Sequence, residues 1–153
     1  MKPYALLLIA IGSLAALPAS AQQWQVAKSS GHAPDRAVYL VDTASITREG
    51  DHVRFRSMTV WEQPTSNGEI DYNRSVTDRE ANCPRHATAI LTNSYYLNGQ
   101  LTASEEFDGT IQAHEPGSVM RAVVDLVCGT GSYQTRPLGD PEPMVRSWLS
   151  RHP

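Results

Sequence analysis

The chain contains little cysteine, little phenylalanine and no long apolar stretch after its N-terminal segment. Its 153 residues include two cysteines and two phenylalanines. Two cysteines allow a single disulfide, and they exclude the disulfide-dense scaffold typical of many small secreted domains. No stretch after residue 21 reaches the roughly 18 consecutive apolar residues of a membrane-spanning helix. The composition therefore predicts a domain held mainly by a hydrophobic core, with at most one crosslink.

An excess of charge of one sign is also lacking. The chain has 13 basic and 16 acidic residues, for a formal net charge of −3. Nucleic-acid binders usually present a basic face, so we expect no nucleic-acid partner. The sequence has no P-loop and no G-x-S-x-G nucleophile motif. It therefore indicates no cofactor and a protein that is not an enzyme.

Residues 1–21 have the pattern of a secretory signal peptide. A single Lys2 precedes an apolar core, and an A-x-A sequence ends at Ala21. This pattern predicts cleavage between Ala21 and Gln22. Because Gln22 and not a cysteine follows the cleavage site, we expect a mature chain with no lipid anchor, either periplasmic or secreted.

The first part of the mature chain has the pattern of a β-hairpin. Trp24 and Val26 alternate with polar residues in "QWQVAKS", and "AVYLV" is a continuous run of strand-forming residues. The segment between them has turn chemistry. The following segment, "DTASITREGD", predicts a second turn through Asp42, Ser45 and Gly50.

The next segment, "HVRFRSMTVWEQ", predicts a long strand with a change of parity. Val53 and Phe55 share one face, whereas Met58 and Val60 lie on the opposite one. A change of parity within one strand suggests a β-bulge, here near Ser57.

Two further strands are predicted downstream. In "EIDYNRSVTD", alternation places Ile70, Tyr72 and Val76 on one face of a half-buried strand. In "HATAILTNSYYLNGQL", the consecutive Tyr95 and Tyr96 must point to opposite faces. We expect one of these tyrosines to be buried and the other to be exposed as a candidate contact residue.

A helix is predicted in "EPGSVMRAVVDLVCG", where Ser118 can cap the start. Its apolar residues recur at helical spacing: Met120, Val123, Val124 and Val127. The proline-rich segment 130–153 predicts an extended linker followed by a short helical turn in "PMVRSWL". The sequence leaves open whether this tail docks.

These elements together predict an α+β fold. It has a single antiparallel β-sheet of about five to six strands, with one C-terminal helix packed on it. The predicted organisation is a signal peptide (1–21), one folded domain (22–129) and a Pro-rich C-terminal tail (130–153).

Cysteine and histidine suggest three kinds of site. Cys83-x-x-His86 has the spacing of half a zinc site, to which His114 and Cys128 could contribute. Alternatively, Cys83 could be a nucleophile with His86 as its base. In an exported protein, a Cys83–Cys128 disulfide is the interpretation that we favour. Closing a loop of this length is worth about 4 kcal/mol.

Five motifs also occur in an informative order. They are a tryptophan opening ("QQWQVAKS"), an aspartate-turn segment ("VYLVDTASITREGDHVRF"), a strand reaching a cysteine ("YNRSVTDREANC"), a tyrosine strand with a glycine turn ("SYYLNGQ") and a helix ending in cysteine ("EPGSVMRAVVDLVCG"). This order, over about residues 22–129, resembles the surface-adhesin protein E-like family of exported bacterial proteins.

The resemblance implies an antiparallel sheet with a packed helix, and a disulfide between Cys83 and Cys128. It implies a non-enzymatic binding module that contacts a host-matrix or cell-envelope protein, although no motif assigns ligand-binding residues. We further expect a homodimer formed through a sheet edge. The alternative hypothesis is a small periplasmic enzyme or metal-binding protein that uses His86 and His114.

Overall fold

A computed structural model of the chain describes residues 21–151. The predicted signal peptide therefore lies outside the described residues, apart from Ala21. The elements are β1 (Trp24–Ser30), β2 (Ala37–Glu49), β3 (His52–Ser66), β4 (Asp71–Asn82), β5 (Ala87–Leu97), β6 (Gln100–Glu106), β7 (Gln112–Ala113), α1 (Val119–Val127) and α2 (Glu142–Arg151).

Strands β1 to β6 lie side by side in chain order, and every pair is antiparallel. The short β7 pairs with β5. The predicted α+β class, antiparallel sheet and late helix are thus confirmed. The described chain adds the two-residue β7, and it extends the helical turn predicted in "PMVRSWL" to the ten-residue helix α2.

The two helices cover opposite faces of the sheet, which we call the α1 face and the α2 face. The core of the α1 face contains Ala27, Val41, Val53, Phe55, Ala81, Val123, Leu126 and Val127. The core of the α2 face contains Trp24, Val26, Val38, Leu40, Met58, Val60, Val145 and Leu149. Because both faces are covered, the central strands bury side chains of both parities.

The change of parity in β3 arises because a helix covers each face of the sheet. The prediction of a bulge near Ser57 is therefore wrong. Val53 and Phe55 belong to the α1-face core, whereas Met58 and Val60 belong to the α2-face core. The register of β3 with β4 is unbroken through Ser57. The parity change therefore records which face each half of the strand buries.

The predicted turn after Asp42 is also corrected, because β2 continues to Glu49. Turn chemistry is nevertheless present inside the strand. Asp42 Oδ1 accepts a hydrogen bond from the Gln23 backbone nitrogen at 2.8 Å, and Ser45 Oγ donates to the Asp42 carbonyl at 2.6 Å. These bonds produce a break in register between Asp42 and Thr47 instead of ending the strand.

In β4 the more deeply buried face is polar, contrary to the expectation from Ile70, Tyr72 and Val76. Those three residues are half-buried, whereas the buried ones are Asn73, Ser75 and Thr77. Hydrogen bonds to the neighbouring strand offset the cost of their burial. For example, Thr77 Oγ1 donates to Asn93 Oδ1 at 2.7 Å.

The Cys83–Cys128 disulfide is present and joins the end of β4 to the end of α1, with 5.7 Å between the two Cα atoms. Ser118 caps the start of α1, because its Oγ accepts from the Arg121 backbone nitrogen at 3.1 Å. At the other end, Arg48 donates to the Val127 carbonyl. A cation there also interacts favourably with the helix dipole.

The segment after residue 129 lies along the sheet. Leu138 exchanges two backbone hydrogen bonds with Trp24, each 2.8 Å long. Beyond it, α2 buries Val145 and Leu149 on the α2 face. Arg36 donates to the Leu149 carbonyl at 2.6 Å. The division into residues 22–129 and a separate tail remains a prediction.

Candidate functional site

A groove of about 570 Å³ lies on the α2 face, next to the segment that leads into α2. Its floor is formed by side chains that alternate along β3, β4 and β5. Because the strands are in register, these side chains form cross-strand rows. The groove is lined by Gln22, Trp24, Arg56, Met58, Arg74, Val76, Asp78, Thr92, Ser94, Tyr96 and Asp140.

One row consists of Arg56, Asp78 and Thr92, which are direct neighbours across the three strands. Arg56 Nε donates to Asp78 Oδ1 at 2.8 Å, and Thr92 Oγ1 donates to Asp78 Oδ2 at 3.1 Å. This hydrogen bond to Asp78 raises the pKa of the Arg56 guanidinium. Arg56 therefore stays charged and is held by its neighbours.

A second row places Arg74 beside Tyr96. The Arg74 guanidinium carbon lies 4.3 Å from the centre of the Tyr96 ring, which is cation–π geometry. Arg74 also pairs with Glu142 in the first turn of α2. Arg146 donates to Glu142 at 3.3 Å and to the Trp61 carbonyl at 2.6 Å. These contacts fix the groove against α2.

The groove combines charged, aromatic and hydroxyl-bearing side chains. Arg56 pairs with Asp78, and Arg74 pairs with Glu142. The groove presents a planar guanidinium, an aromatic ring and several hydroxyl groups in fixed positions. Arginine and tyrosine are enriched among the residues that dominate protein–protein binding energy.

The four residues predicted for a metal or nucleophile site lie close together. The His114 backbone nitrogen donates to the His86 carbonyl at 3.0 Å, and the His86 backbone nitrogen donates to the Cys83 carbonyl at 3.2 Å. Among the described residues, however, their side chains do not form a group of metal ligands. Both cysteine sulfurs are in the disulfide, so neither can act as a thiolate ligand or nucleophile. His86 Nδ1 lies 3.5 Å from Asp125 Oδ1 on α1. His114 Nε2 is instead 2.7 Å from Thr88 Oγ1. The two rings thus have different partners.

Residues 21–151 contain neither a group of metal ligands nor a membrane-spanning helix. Across this range no three side chains of histidine, cysteine, aspartate and glutamate converge as metal ligands would. None of the helices in the described part of the chain is long and apolar enough to cross a membrane.

The two adjacent tyrosines point to opposite faces, as their alternation predicted, but neither is fully exposed. Tyr95 is buried and donates to Glu105 at 3.0 Å, whereas Tyr96 is half-buried and lines the groove. The groove residues Arg56, Arg74 and Asp78 were not singled out from the sequence. They match no motif, and only the register between strands brings them together.

Comparisons with known proteins show what the chain is similar to. A family model described as Surface-adhesin protein E matches residues 24–129, from the start of β1 to just past α1. Among solved structures, crystal form II of Haemophilus influenzae protein E matches with 13% sequence identity and a TM-score of 0.47. That match covers 60% of this chain and 80% of the other. The search of curated proteins found no match.

Proposed function

The chain belongs to the surface-adhesin protein E family, and from this premise we propose that it is an exported, non-catalytic binding protein. Its partner is a host-matrix or cell-envelope protein, which it contacts through the groove on the α2 face. After signal-peptide cleavage the protein acts in the periplasm or outside the cell.

The Arg74–Tyr96 pair, held by the ion pair with Glu142, is the observation that favours the groove as the binding surface. The Arg74 side chain is 17% exposed and is held by Glu142, which is 16% exposed. Such immobilised side chains lose little conformational entropy when a partner binds. Arginine and tyrosine at the centre of a contact surface are typical binding hot spots. The groove is therefore the part of this face that is best suited to bind a partner protein.

The groove alone is too small to be the whole interface. A stable protein–protein interface buries about 800 Å² on each partner. We therefore expect the partner to insert a side chain or a loop into the groove and to cover its rim. Specificity then depends on hydrogen bonds to Thr92 and Ser94 and on stacking against Tyr96.

Two matched arginines allow a test. Arg54 and Arg56 lie on the same strand and the same face, and each pairs with a carboxylate. Only Arg56 lines the groove. The purified exported chain is assayed by biolayer interferometry against extracellular-matrix proteins and solubilised envelope proteins. The Arg56→Ala and Arg54→Ala variants are compared on any partner that binds.

The expected result is a loss of about tenfold or more in affinity for Arg56→Ala and little change for Arg54→Ala. Tyr96→Ala should reproduce the Arg56→Ala loss. Equal affinities for both arginine variants and the unmodified chain would refute this choice of surface. Binding to no protein in the panel would count against adhesion itself.

A homodimer through a sheet edge is also part of the proposal. Among the described strands β6 pairs only with β5, so its other edge presents unpaired backbone groups. Analytical ultracentrifugation tests this point. A monomeric mass at every concentration used in the binding assays would contradict it.

A further inference from the structure

A second cavity lies on the opposite face of the sheet and has different chemistry. It encloses about 320 Å³, between β5, the segment that follows β6 and the start of α1. Arg79, Ile90, Phe107, His114 and Met120 are among its lining residues. Its volume is at the lower end of the range of small-molecule sites.

The side chain of Arg79 is the unusual element of this cavity. Arg79 pairs in register with Phe55 and Ile90, which places it on the α1 face. Within residues 21–151 it forms no ion pair, and its one hydrogen bond runs from Nε to Ser57 Oγ at 3.1 Å. The arginines of the groove, by contrast, have carboxylate partners.

Burial has an energetic consequence for this guanidinium. It lowers the pKa of Arg79 to about 10, a shift opposed only by the nearby Tyr39 hydroxyl. The group remains charged at neutral pH. A partly desolvated cation that forms no ion pair gains strongly from a hydrogen-bonded anion, because the surroundings screen the attraction less than water does.

The other polar groups of the cavity narrow the choice of anion. Burial, and then the charge of Arg79, lower the pKa of His114 and so favour its neutral form. The Asp108 carboxylate also lines the cavity, where Thr110 donates to it from N and Oγ1 at 2.9 and 2.8 Å. One cation and one carboxylate in the same cavity disfavour a dianion such as phosphate.

The apolar lining indicates the rest of the ligand. Ile90, Phe107 and Met120 provide contact surface for a hydrocarbon or aromatic group. Phe107 is 42% exposed, although large hydrophobic side chains are favoured inside proteins. A ligand body beside it would remove part of this apolar area from water.

We propose that this cavity is a binding site for a monocarboxylate with a compact apolar or aromatic body, with Arg79 as the carboxylate receptor. The carboxylate is either that of a free organic acid or the C-terminus of a peptide. The site lies on the face opposite to the groove, so it does not depend on the groove proposed above.

Methionine methyl groups provide a localised readout by NMR. Met120 lines the cavity, whereas Met58 and Met144 belong to the α2 face. The exported chain, labelled at its methionine methyls, is titrated with phenylacetate and with the neutral isostere phenylacetamide. A second arm uses a short peptide ending in phenylalanine, with a free carboxylate or a C-terminal amide.

The expected result is a saturable shift of the Met120 methyl with phenylacetate, while Met58 and Met144 do not move. The amide should bind about 10- to 100-fold more weakly, because it lacks the charge-assisted hydrogen bonds. Stronger binding of the peptide acid would identify the C-terminus as the source, and stronger binding of phenylacetate would identify the free acid. Either ranking supports the site.

Variants assign the role to Arg79. Arg79→Gln should abolish the difference between acid and amide, whereas Arg85→Gln, an exposed arginine with the same loss of charge, should preserve it. If Arg79→Gln fails to fold, the exposed Phe107→Ala serves in its place and should weaken both acids. Equal binding of acid and amide to the unmodified chain, or no saturable Met120 shift with any acid, would overturn the proposal.

Discussion

The two faces of the sheet hold their helices by different means. On the α1 face, a disulfide ties the end of α1 to the end of β4. On the α2 face, α2 is held by buried apolar side chains and by ion pairs such as Arg74–Glu142. Both helices also bury apolar side chains against the sheet. The arginines differ as well, because among the described residues those of the groove pair with carboxylates, whereas Arg79 forms no ion pair. The two faces therefore differ in the crosslink and in the pairing of their arginines.

The largest expected effect on stability comes from removing the disulfide of the α1 face. Changing Cys83 and Cys128 together to serine should lower the free energy of unfolding by about 4 kcal/mol, because the 45-residue separation is no longer closed in the unfolded chain. Urea unfolding measures the loss. A loss below about 1 kcal/mol would show that the disulfide contributes little to this fold.

A somewhat smaller effect is expected from the apolar contact that holds α2. Leu149 is 3% exposed, so Leu149→Ala should lower the free energy of unfolding by about 3 kcal/mol. Leu101→Ala is the matched control, because Leu101 is 60% exposed on β6, and it should change stability by less than about 0.5 kcal/mol. Equal losses for the two variants would mean that α2 is not docked.

Sequence patterns anticipated the α1 side more completely than the α2 side. The stripe of α1, its Ser118 cap and its terminal cysteine are all local signals. The α2 face was harder to predict, because the helix in "EPMVRSWLSR" has a weaker apolar stripe and follows a proline-rich segment. Its docking depends on Val145 and Leu149 meeting strands far away in sequence.

The candidate sites were harder still. Tyr96 followed from alternation, but Arg56, Arg74 and Asp78 become neighbours only through strand register. Arg79 matches no motif, and only strand register places it beside Phe55 and Ile90 on the α1 face. Its neighbour Asp78 points to the opposite face, and the register of β4 with β5 shifts between the two residues.

The N-cap of α1 offers a smaller test. Ser118→Ala removes the hydrogen bond to the Arg121 backbone nitrogen and should cost about 1 kcal/mol of folding stability. Ser118→Asp keeps an acceptor and should restore most of the loss. If Ser118→Asp is as unstable as Ser118→Ala, the cap does not account for the effect. Urea denaturation of the three proteins provides the comparison.

The smallest expected effect is a pH dependence on the α1 face. The pKa of His114 is below its ordinary 6.5 in the folded chain, because of burial and Arg79. Below about pH 6.5 the unfolded chain therefore takes up this proton more readily. As the pH is lowered, the free energy of unfolding should therefore decrease. The decrease should end once the pH is below the pKa of His114 in the folded chain. His114→Asn should flatten the slope just below about pH 6.5, whereas His32→Asn, in an exposed loop, should not.

The claim that the α2 face, and not the α1 face, binds a protein partner is tested most directly by side-chain footprinting of the complex with that partner. Hydroxyl-radical oxidation is measured by mass spectrometry with and without the partner. We predict that binding protects Tyr96, in the groove, and leaves Phe107, on the α1 face, as reactive as before. Protection of Phe107 with unchanged Tyr96 would contradict the assignment of protein binding to the α2 face.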